Sequence, residues 1–290
     1  MQQRKLRGKK PEVRKNRLKL FMYGNAKVGK TTLSIQFPTP YIIDTERSTD
    51  KDKYVELINK SDGTVFETQD FDEMVNEVKL LLTTEHEYKT LVIDSLTILY
   101  NDLVDKEGLK NGTEFGRHYA AANKRIKHLL NLLLRLDMNV IITAHSKLEY
   151  GDNLKVLGTT FDCYKKMDFN SDLILEIQKR GKDRVAIIKG TRLSEFPEDE
   201  TFPCSYQEFS KRYGSDFLER ISVAEKLATP EQVARLKELV ELYNERPEVT
   251  DKWLEKAKAE TFDELSEDII TKLIEHMENK PKLKGATTNV

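Results

Sequence analysis

Residues 24–32 read Gly-Asn-Ala-Lys-Val-Gly-Lys-Thr-Thr, and this spacing restricts the fold more than any other feature of the chain. A glycine, four residues and then Gly-Lys-Thr form the phosphate-binding loop pattern, in which glycines let backbone N–H groups approach phosphate oxygens. The apolar segment 18–23 predicts a buried strand before the loop, and 30–37 predicts a helix whose N-terminus points at the bound anion. The pattern therefore predicts a nucleotide site in an α/β fold.

Within this loop we expect Lys30 to reach the β- and γ-phosphates and Thr31 to hold Mg²⁺. ATP and Mg²⁺ are the expected cofactors. A glycine-rich surface turn is the alternative interpretation. The predicted nucleotide-binding residues of the loop are Gly24, Asn25, Ala26, Lys27, Val28, Gly29, Lys30, Thr31 and Thr32.

Composition limits the class of protein. Of 290 residues, 38% are hydrophobic and 33% charged, which is typical of a soluble chain with one large and one small domain. No stretch approaches the roughly 18–20 apolar residues that span a bilayer, and the first ten residues do not resemble a signal peptide. Two cysteines favour a reducing cytoplasm, and the histidine spacing does not indicate zinc. We therefore expect a cytoplasmic protein without membrane contact.

Charge is distributed unevenly. Residues 1–19 carry nine Lys/Arg and one acidic residue, whereas 222–279 carry fifteen acidic and eight basic residues. A basic arm beside a nucleotide-binding core indicates contact with nucleic acid, and a merely solubilising tail is an equally open alternative.

Short apolar runs alternate with amphipathic stretches along the core. This alternation predicts βαβ units and a mostly parallel sheet that ends in an antiparallel hairpin around "KRGKD". The predicted strands are 18–23, 41–44, 90–94, 139–144, 172–178 and 184–189, and the predicted helices are 30–37, 70–84, 96–105 and 117–136.

A different texture begins near residue 222. Thr229 and Pro230 have the features of a helix start, and three short amphipathic helices are expected to follow. The chain is thus predicted to divide into a basic flexible arm (1–16), an ATPase core (17–222), an acidic three-helix module (223–279) and a disordered tail (280–290).

Three further strand ends carry polar residues where open α/β sheets bind ligands. Asp94 is expected to hold Mg²⁺ beside Thr31, although an aspartate capping the next helix is an alternative. Glu46 is our candidate for the base that accepts a proton from the attacking water, with Asp44 structural. His145 is expected to sense the γ-phosphate, although a surface histidine is the alternative. The predicted catalytic set is Glu46, Lys30 and Asp94.

The order of the phosphate loop, "YIIDTE", "LVIDS", "VIITAH" and "RVAIIKGTR" resembles the core of the RecA/RadA recombinase superfamily. More narrowly, it is similar to phage-encoded ATP-binding proteins of the Sak type, which are implicated in single-strand annealing. The resemblance implies a RecA-like fold, a phage or bacterial host cytoplasm, single-stranded DNA binding and side-by-side assembly into a ring or filament. It also implies a basic residue that enters a neighbour's nucleotide site, for which Lys189 and Arg192 are the candidates.

Among the departures from the recombinases, His145 replaces their sensor glutamine and no Phe-x-x-Ala tether is found. They favour annealing or a mediator role over strand exchange. Residues 106–117 and 146–166 are expected to be DNA-binding loops, because basic and aromatic residues interleave there. The candidate contacts are Lys106, Lys110, Phe115, Arg117, Lys147, Tyr150, Lys155, Phe161, Tyr164, Lys165 and Lys166.

The sequence thus predicts a DNA-stimulated ATPase of recombination. Two alternatives stay open: a helicase-loader or motor-type ATPase with the same core, and a nucleotide-gated scaffold that recruits a replication partner. The acidic module is the expected site for a single-strand-binding or other recombination protein.

Overall fold

In the computed structural model of the chain, the described residues are 17–151, 155–167 and 171–280. The predicted basic arm (1–16) and nearly all of the predicted tail lie outside them. Within the described residues one sheet contains nine strands. They are β1 (Lys19–Gly24), β2 (Pro40–Asp44), β3 (Thr64–Glu67), β4 (Thr90–Asp94), β5 (Asn139–Tyr150), β6 (Val156–Phe161), β7 (Leu173–Arg180), β8 (Asp183–Thr191) and β9 (Thr201–Pro203).

The helices lie between these strands and after them. Those of the sheet region are α1 (Lys30–Ile35), α2 (Asp52–Lys60), α3 (Phe71–Thr83), α4 (Leu96–Asn111), α5 (Arg117–Arg135), α6 (Tyr206–Tyr213) and α7 (Ser215–Leu218). The C-terminal helices are α8 (Pro230–Leu242), α9 (Pro247–Ala257) and α10 (Glu267–Glu278).

The strand order is β3-β2-β4-β5-β1-β7-β8-β9, with β6 paired to β5. The pairings from β3 to β7 along this order are parallel, and β8 and β9 continue the sheet antiparallel. The predicted fold class, an α/β core with a mostly parallel sheet and a small C-terminal helical appendage, is confirmed. The predicted hairpin at "KRGKD" is the β7–β8 connection.

Two apolar clusters cover the two faces of the sheet. Helices α3, α4 and α5 pack on one face, and α1, α2, α6 and α7 pack on the other. The central strands β2 and β4 are buried along their whole length because helices cover both of their faces. Parallel pairing therefore aligns the carboxyl ends of β2, β4, β5 and β1 at one edge of the sheet, which we call the phosphate-loop edge.

The strand β5 extends beyond its predicted end at residue 144. Its first half lies in the parallel sheet, and its second half pairs antiparallel with β6, from Ser146 opposite Phe161 to Tyr150 opposite Val156. The prediction that residues 146–166 form a loop is therefore wrong. We call the described residues of this antiparallel pair, 146–151 and 155–161, the β5–β6 hairpin.

The C-terminal helices contain their own apolar cluster, built around Leu236, Leu239, Leu265 and Ile270. Thr229 caps α8 through a reciprocal pair of hydrogen bonds with Gln232, and Pro230 is its first residue, as the sequence predicted. We call residues 228–280 the C-terminal module. Among the described residues, no helix is both long and apolar enough to cross a bilayer.

Polar contacts join this module and the segment before it to α3 and α5. Oε1 of Glu264 forms an ion pair with Nζ of Lys79 at 2.7 Å and lies 3.5 Å from Nε2 of His128. Arg135 pairs with Glu225 at 3.0 Å and donates to the carbonyl of Glu264.

Candidate nucleotide-binding site

The phosphate loop connects β1 to α1, as the sequence predicted, and its two glycines are restricted by a backbone contact at Gly24 and by a positive φ at Gly29. A Cβ on Gly24 would lie 2.4 Å from the carbonyl oxygen of Ile177 on β7. Gly29 has φ of 114°, and a Cβ there would lie 2.5 Å from Cδ of Arg184. Neither position admits a side chain without displacement of a neighbour. Between them, Asn25, Ala26 and Lys27 are exposed and Val28 is buried. After them, Thr32 is half-buried on α1.

Lys30 is buried within the loop that it follows. Its Nζ donates to the carbonyl oxygens of Gly24 at 2.8 Å and Asn25 at 2.9 Å. Burial lowers the pKa of Lys30, and the nearby carboxylates of Asp94 and Glu46 partly oppose that shift. An anion in the loop would favour the charged ammonium in the same way.

Thr31 and Asp94 meet at the phosphate-loop edge. The Thr31 hydroxyl donates to Asp94 Oδ2 at 2.5 Å, and Thr143 of β5 donates to the other carboxylate oxygen. Asp94 is almost fully buried, and burial raises its pKa although both hydroxyls and Lys30 act in the opposite direction. A hydroxyl and a carboxylate are oxygen donors of the kind that Mg²⁺ prefers, so this pair fits the metal.

Asp44 organises the turn after β2. Its carboxylate accepts the backbone N–H groups of Glu46 at 3.0 Å, Ser48 at 2.8 Å and Thr49 at 2.9 Å. The Thr49 hydroxyl adds a fourth hydrogen bond at 2.7 Å. Both oxygens of this fully buried carboxylate are thus occupied. Asp44 therefore has a structural role, which is to hold the turn that carries Glu46.

Glu46 is exposed, and two side chains contact its carboxylate. Its Oε1 accepts the Ser95 hydroxyl at 2.6 Å and lies 2.6 Å from His145 Nε2. Ser95 and His145 are themselves 3.4 Å apart. No hydrogen bond to Oε2 occurs within the described residues. The carboxylate therefore has a fixed direction and one oxygen available as a proton acceptor.

A second contact ties β5 to the phosphate loop. Ser146, which follows His145, donates to the side-chain oxygen of Asn25. The carbonyl of Asn25 accepts from Lys30 as well. The strand β5 thus contacts the site through Thr143, His145 and Ser146, and then continues directly into the β5–β6 hairpin.

Lys189 and Arg192 lie away from these groups. Lys189 is 3.8 Å from Glu176 on β7. The backbone N–H of Arg192 donates to the carbonyl of Asp172, and the backbone N–H of Asp172 donates to the carbonyl of Lys19. Arg192 therefore lies near the start of β1. Because the loop follows the other end of β1, about 17 Å away at about 3.3 Å per residue, Arg192 is beyond reach of its own phosphate loop.

The predicted DNA-binding segments differ from the expectation. Helix α4 continues to Asn111, so Lys106 and Lys110 lie on a helix, and Lys106 pairs with Asp102 at 2.8 Å. Phe161 packs on Phe21 with ring centroids 5.0 Å apart, and Tyr164 is buried. These two rings serve the core and are unavailable for base stacking.

Exposed aromatic and basic groups nevertheless remain on these segments. Phe115 is 98% exposed on a turn between two glycines of positive φ, and its own φ is 51°. An open cleft of about 890 Å³ lies between α4, the start of α5 and the segment after β6. Its basic and aromatic lining includes Lys147, Lys165, Lys166, Tyr100 and Tyr119.

Sequence reasoning missed four residues at the site: Ser95, Thr143, Ser146 and Arg184. Ser95 and Ser146 directly follow Asp94 and His145, so their place after a strand end was a usable signal. Arg184 gave no local signal, because only the β7–β8 hairpin brings it to the loop.

A model of the AAA domain family AAA_24 matches residues 16–203. A search of curated proteins finds no significant match. Among solved structures, the RadB recombinase is similar with a TM-score of 0.42 and 20% identity, covering 63% of this chain and 84% of that chain. A DnaB-like replicative helicase, described with its interactions with primase, is similar with a TM-score of 0.38 and 10% identity, covering 61% and 54%. Similarity at this level carries no information on function. Because the family match spans well over half of its length, the chain belongs to the AAA_24 family of AAA domains.

Proposed function

We propose that the chain is an ATP-hydrolysing protein of recombination or replication that binds single-stranded DNA and promotes annealing or recombination, as the Sak-type resemblance implies. The observation that carries the ATPase assignment is the convergence of Lys30, the Thr31–Asp94 pair and Glu46 at one edge of the sheet. An AAA domain is the family in which such a site is expected.

In this proposal the loop backbone and Lys30 bind the β- and γ-phosphates. Thr31 and Asp94 would hold Mg²⁺, and the bound ion would neutralise charge on the phosphates. Glu46 accepts the proton of the attacking water through Oε2, while Ser95 and His145 keep Oε1 in place. Hydrolysis then requires that the Glu46 carboxylate has this orientation when ATP is bound.

The proposed DNA surface is the cleft beside β6 together with Phe115. Lysines there would contact phosphates, and Tyr119 and Phe115 would stack on bases irrespective of sequence. Because β5 joins this surface to His145, the same strand would make hydrolysis depend on DNA.

The proposed assembly is side by side, in a ring or filament. Arg192 cannot reach its own loop, so any role at a nucleotide requires a second copy of the chain. The acidic C-terminal module is proposed to recruit a single-strand-binding or other recombination protein, because its charge disfavours direct contact with DNA.

The test is the ATPase rate with and without single-stranded DNA, measured beside the mass in solution by light scattering. We expect DNA to raise the rate and a mass of several protomers. Lys30→Ala protein serves as the control for contaminating activity. Hydrolysis without any DNA effect would instead favour the nucleotide-gated scaffold, and unwinding of a duplex would favour the motor.

A further inference from the structure

Arg184 lies directly against the phosphate loop of its own chain. The position that a Cβ of Gly29 would take is 2.5 Å from Cδ and 3.0 Å from Nε of this arginine. Gly29 immediately precedes Lys30, whose ammonium is also directed at the loop. Two cationic side chains therefore converge on one anion-binding segment.

The backbone of Arg184 is held on both sides. It pairs with Lys179 in the β7–β8 ladder, and its carbonyl accepts the N–H of Cys204 at 3.0 Å. The side chain thus starts from a fixed point in the sheet, which is the condition for precise contact with a ligand.

Arg184 is an exposed residue. In the part of the chain that the structure describes, the Arg184 side chain makes no hydrogen bond or ion pair. Arg17, Arg135 and Arg212, by contrast, each pair with an acidic side chain. An unpaired surface arginine is ordinary by itself, but one placed against a phosphate loop is positioned for an anion.

We propose that Arg184 binds phosphate oxygens of the nucleotide held by the loop of the same chain. The inference rests on the nucleotide site of the proposed function. A guanidinium offers a planar fork of donors that matches phosphate oxygens, and it stays charged at any working pH. Arg184 would act within one protomer, whereas Lys189 and Arg192 are candidates for contact between protomers.

The test compares Arg184→Met with Arg184→Lys in titrations of the full-length protein. Met keeps the apolar stem that packs on Gly29 and removes the charge, whereas Lys keeps the charge without the fork. The probes are ATP and inorganic tripolyphosphate, which lacks a base and a sugar. We expect Arg184→Met to weaken binding of both probes by about tenfold or more, and Arg184→Lys to lose less.

Lys182→Ala, an exposed charge in the same hairpin, is the matched control and is expected to keep affinity within about twofold. Thermal melting verifies that each variant is folded. Unchanged affinity of Arg184→Met would overturn the inference, as would an equal loss in Lys182→Ala, which would indicate diffuse charge. Weaker ATP binding with unchanged tripolyphosphate binding would also overturn it, in favour of a contact to the base or sugar.

Failure of this inference is distinguishable from failure of the nucleotide site. If Lys30→Ala abolishes ATP binding while Arg184→Met binds normally, the site stands and only the role of Arg184 falls. If the unaltered protein binds neither probe, both fall together.

Discussion

The phosphate-loop edge and the C-terminal module each contain a buried carboxylate, but the pKa values of the two groups are shifted in opposite directions. Burial raises the pKa of Asp94, and hydroxyl donors and Lys30 do not cancel the effect. Burial acts in the same direction on Glu264, yet the N–H of Glu260, Lys79 and His128 hold its pKa below the ordinary value. The buried Asp94 at the phosphate-loop edge has too little positive charge around it to offset the cost of burial. Glu264 in the C-terminal module is already paired with Lys79 and His128.

This difference separates chemistry from stability. At the phosphate-loop edge, polar side chains from four segments hydrogen-bond to one another at the ends of the strands, outside the apolar core. Their replacement should therefore alter ligand binding more than folding. At the module, the polar groups join two apolar clusters, so their replacement should alter docking and leave the nucleotide site unchanged.

The largest expected effect is that of Glu46→Gln. Because the amide cannot accept a proton, hydrolysis should fall by roughly 10²–10⁴-fold while ATP affinity stays within a few-fold. Steady-state ATPase rates and ATP titrations measure the two quantities. Asp50→Asn, an exposed carboxylate of the same loop, is the control. Normal hydrolysis by Glu46→Gln, with loss in a folded Asp44→Asn protein, would identify Asp44 as the base instead.

Lys30→Ala should weaken ATP binding by roughly 10–150-fold, since it removes a charge-assisted contact to the phosphates. Hydrolysis should fall at least as far, and the melting temperature should change little. Lys60→Ala on α2 is an exposed control far along the chain. Unaltered ATP affinity of Lys30→Ala would contradict the assignment of the loop.

A mixing experiment extends the comparison to neighbouring protomers. Arg192→Ala and Lys30→Ala proteins should each be inactive alone, but in an equal mixture about a quarter of interfaces would combine an intact loop with an intact Arg192. Partial recovery of ATPase activity is the expected result, and the same mixture with Lys189→Ala tests the second candidate. No recovery in either mixture would indicate a site complete within one chain.

The smallest expected effect lies in the module. Glu264→Gln should reduce the free energy of unfolding at pH 7 by about 1–2 kcal/mol and leave ATP affinity unchanged. Because the folded pKa of Glu264 is lowered, its stabilisation is present above the ordinary carboxylate pKa of about 4.3 and is lost as the pH falls through the folded value. Urea unfolding at pH 7 and in mild acid measures both effects. A difference between the two proteins that does not shrink in acid would refute this assignment.

The sequence predicted the parallel core because its strands are continuous apolar runs between punctuating turns. It missed β3, where a four-residue strand has exposed ends, and β6, which carries Gly158 in its middle. It missed α2 as well, where among the apolar residues only Ile58 is fully buried. The two-residue alternation of Leu148 and Tyr150 was a usable signal for the extension of β5.

The grouping of candidate side chains was predictable where a polar residue follows a strand end, as at Asp94, Glu46 and His145. Contacts between residues distant in sequence were not, because they depend on the order of the strands. Arg184 meets Gly29 only since β7 lies beside β1 and β8 beside β7. The burial of Tyr164 and Phe161 likewise depends on packing against β1 and α4. The polar residues beside them in the sequence gave no indication of this packing.

The length of β5 has a mechanical consequence. From His145 at the phosphate-loop edge to Tyr150 at the end of the strand, five residue steps of extended backbone span about 17 Å. A rotation of roughly 10° at His145 would therefore carry Tyr150 through about 3 Å by the length of that arm. Because His145 contacts Glu46 and Ser146 contacts Asn25, a small rearrangement around the phosphates would be magnified along β5 toward Tyr150.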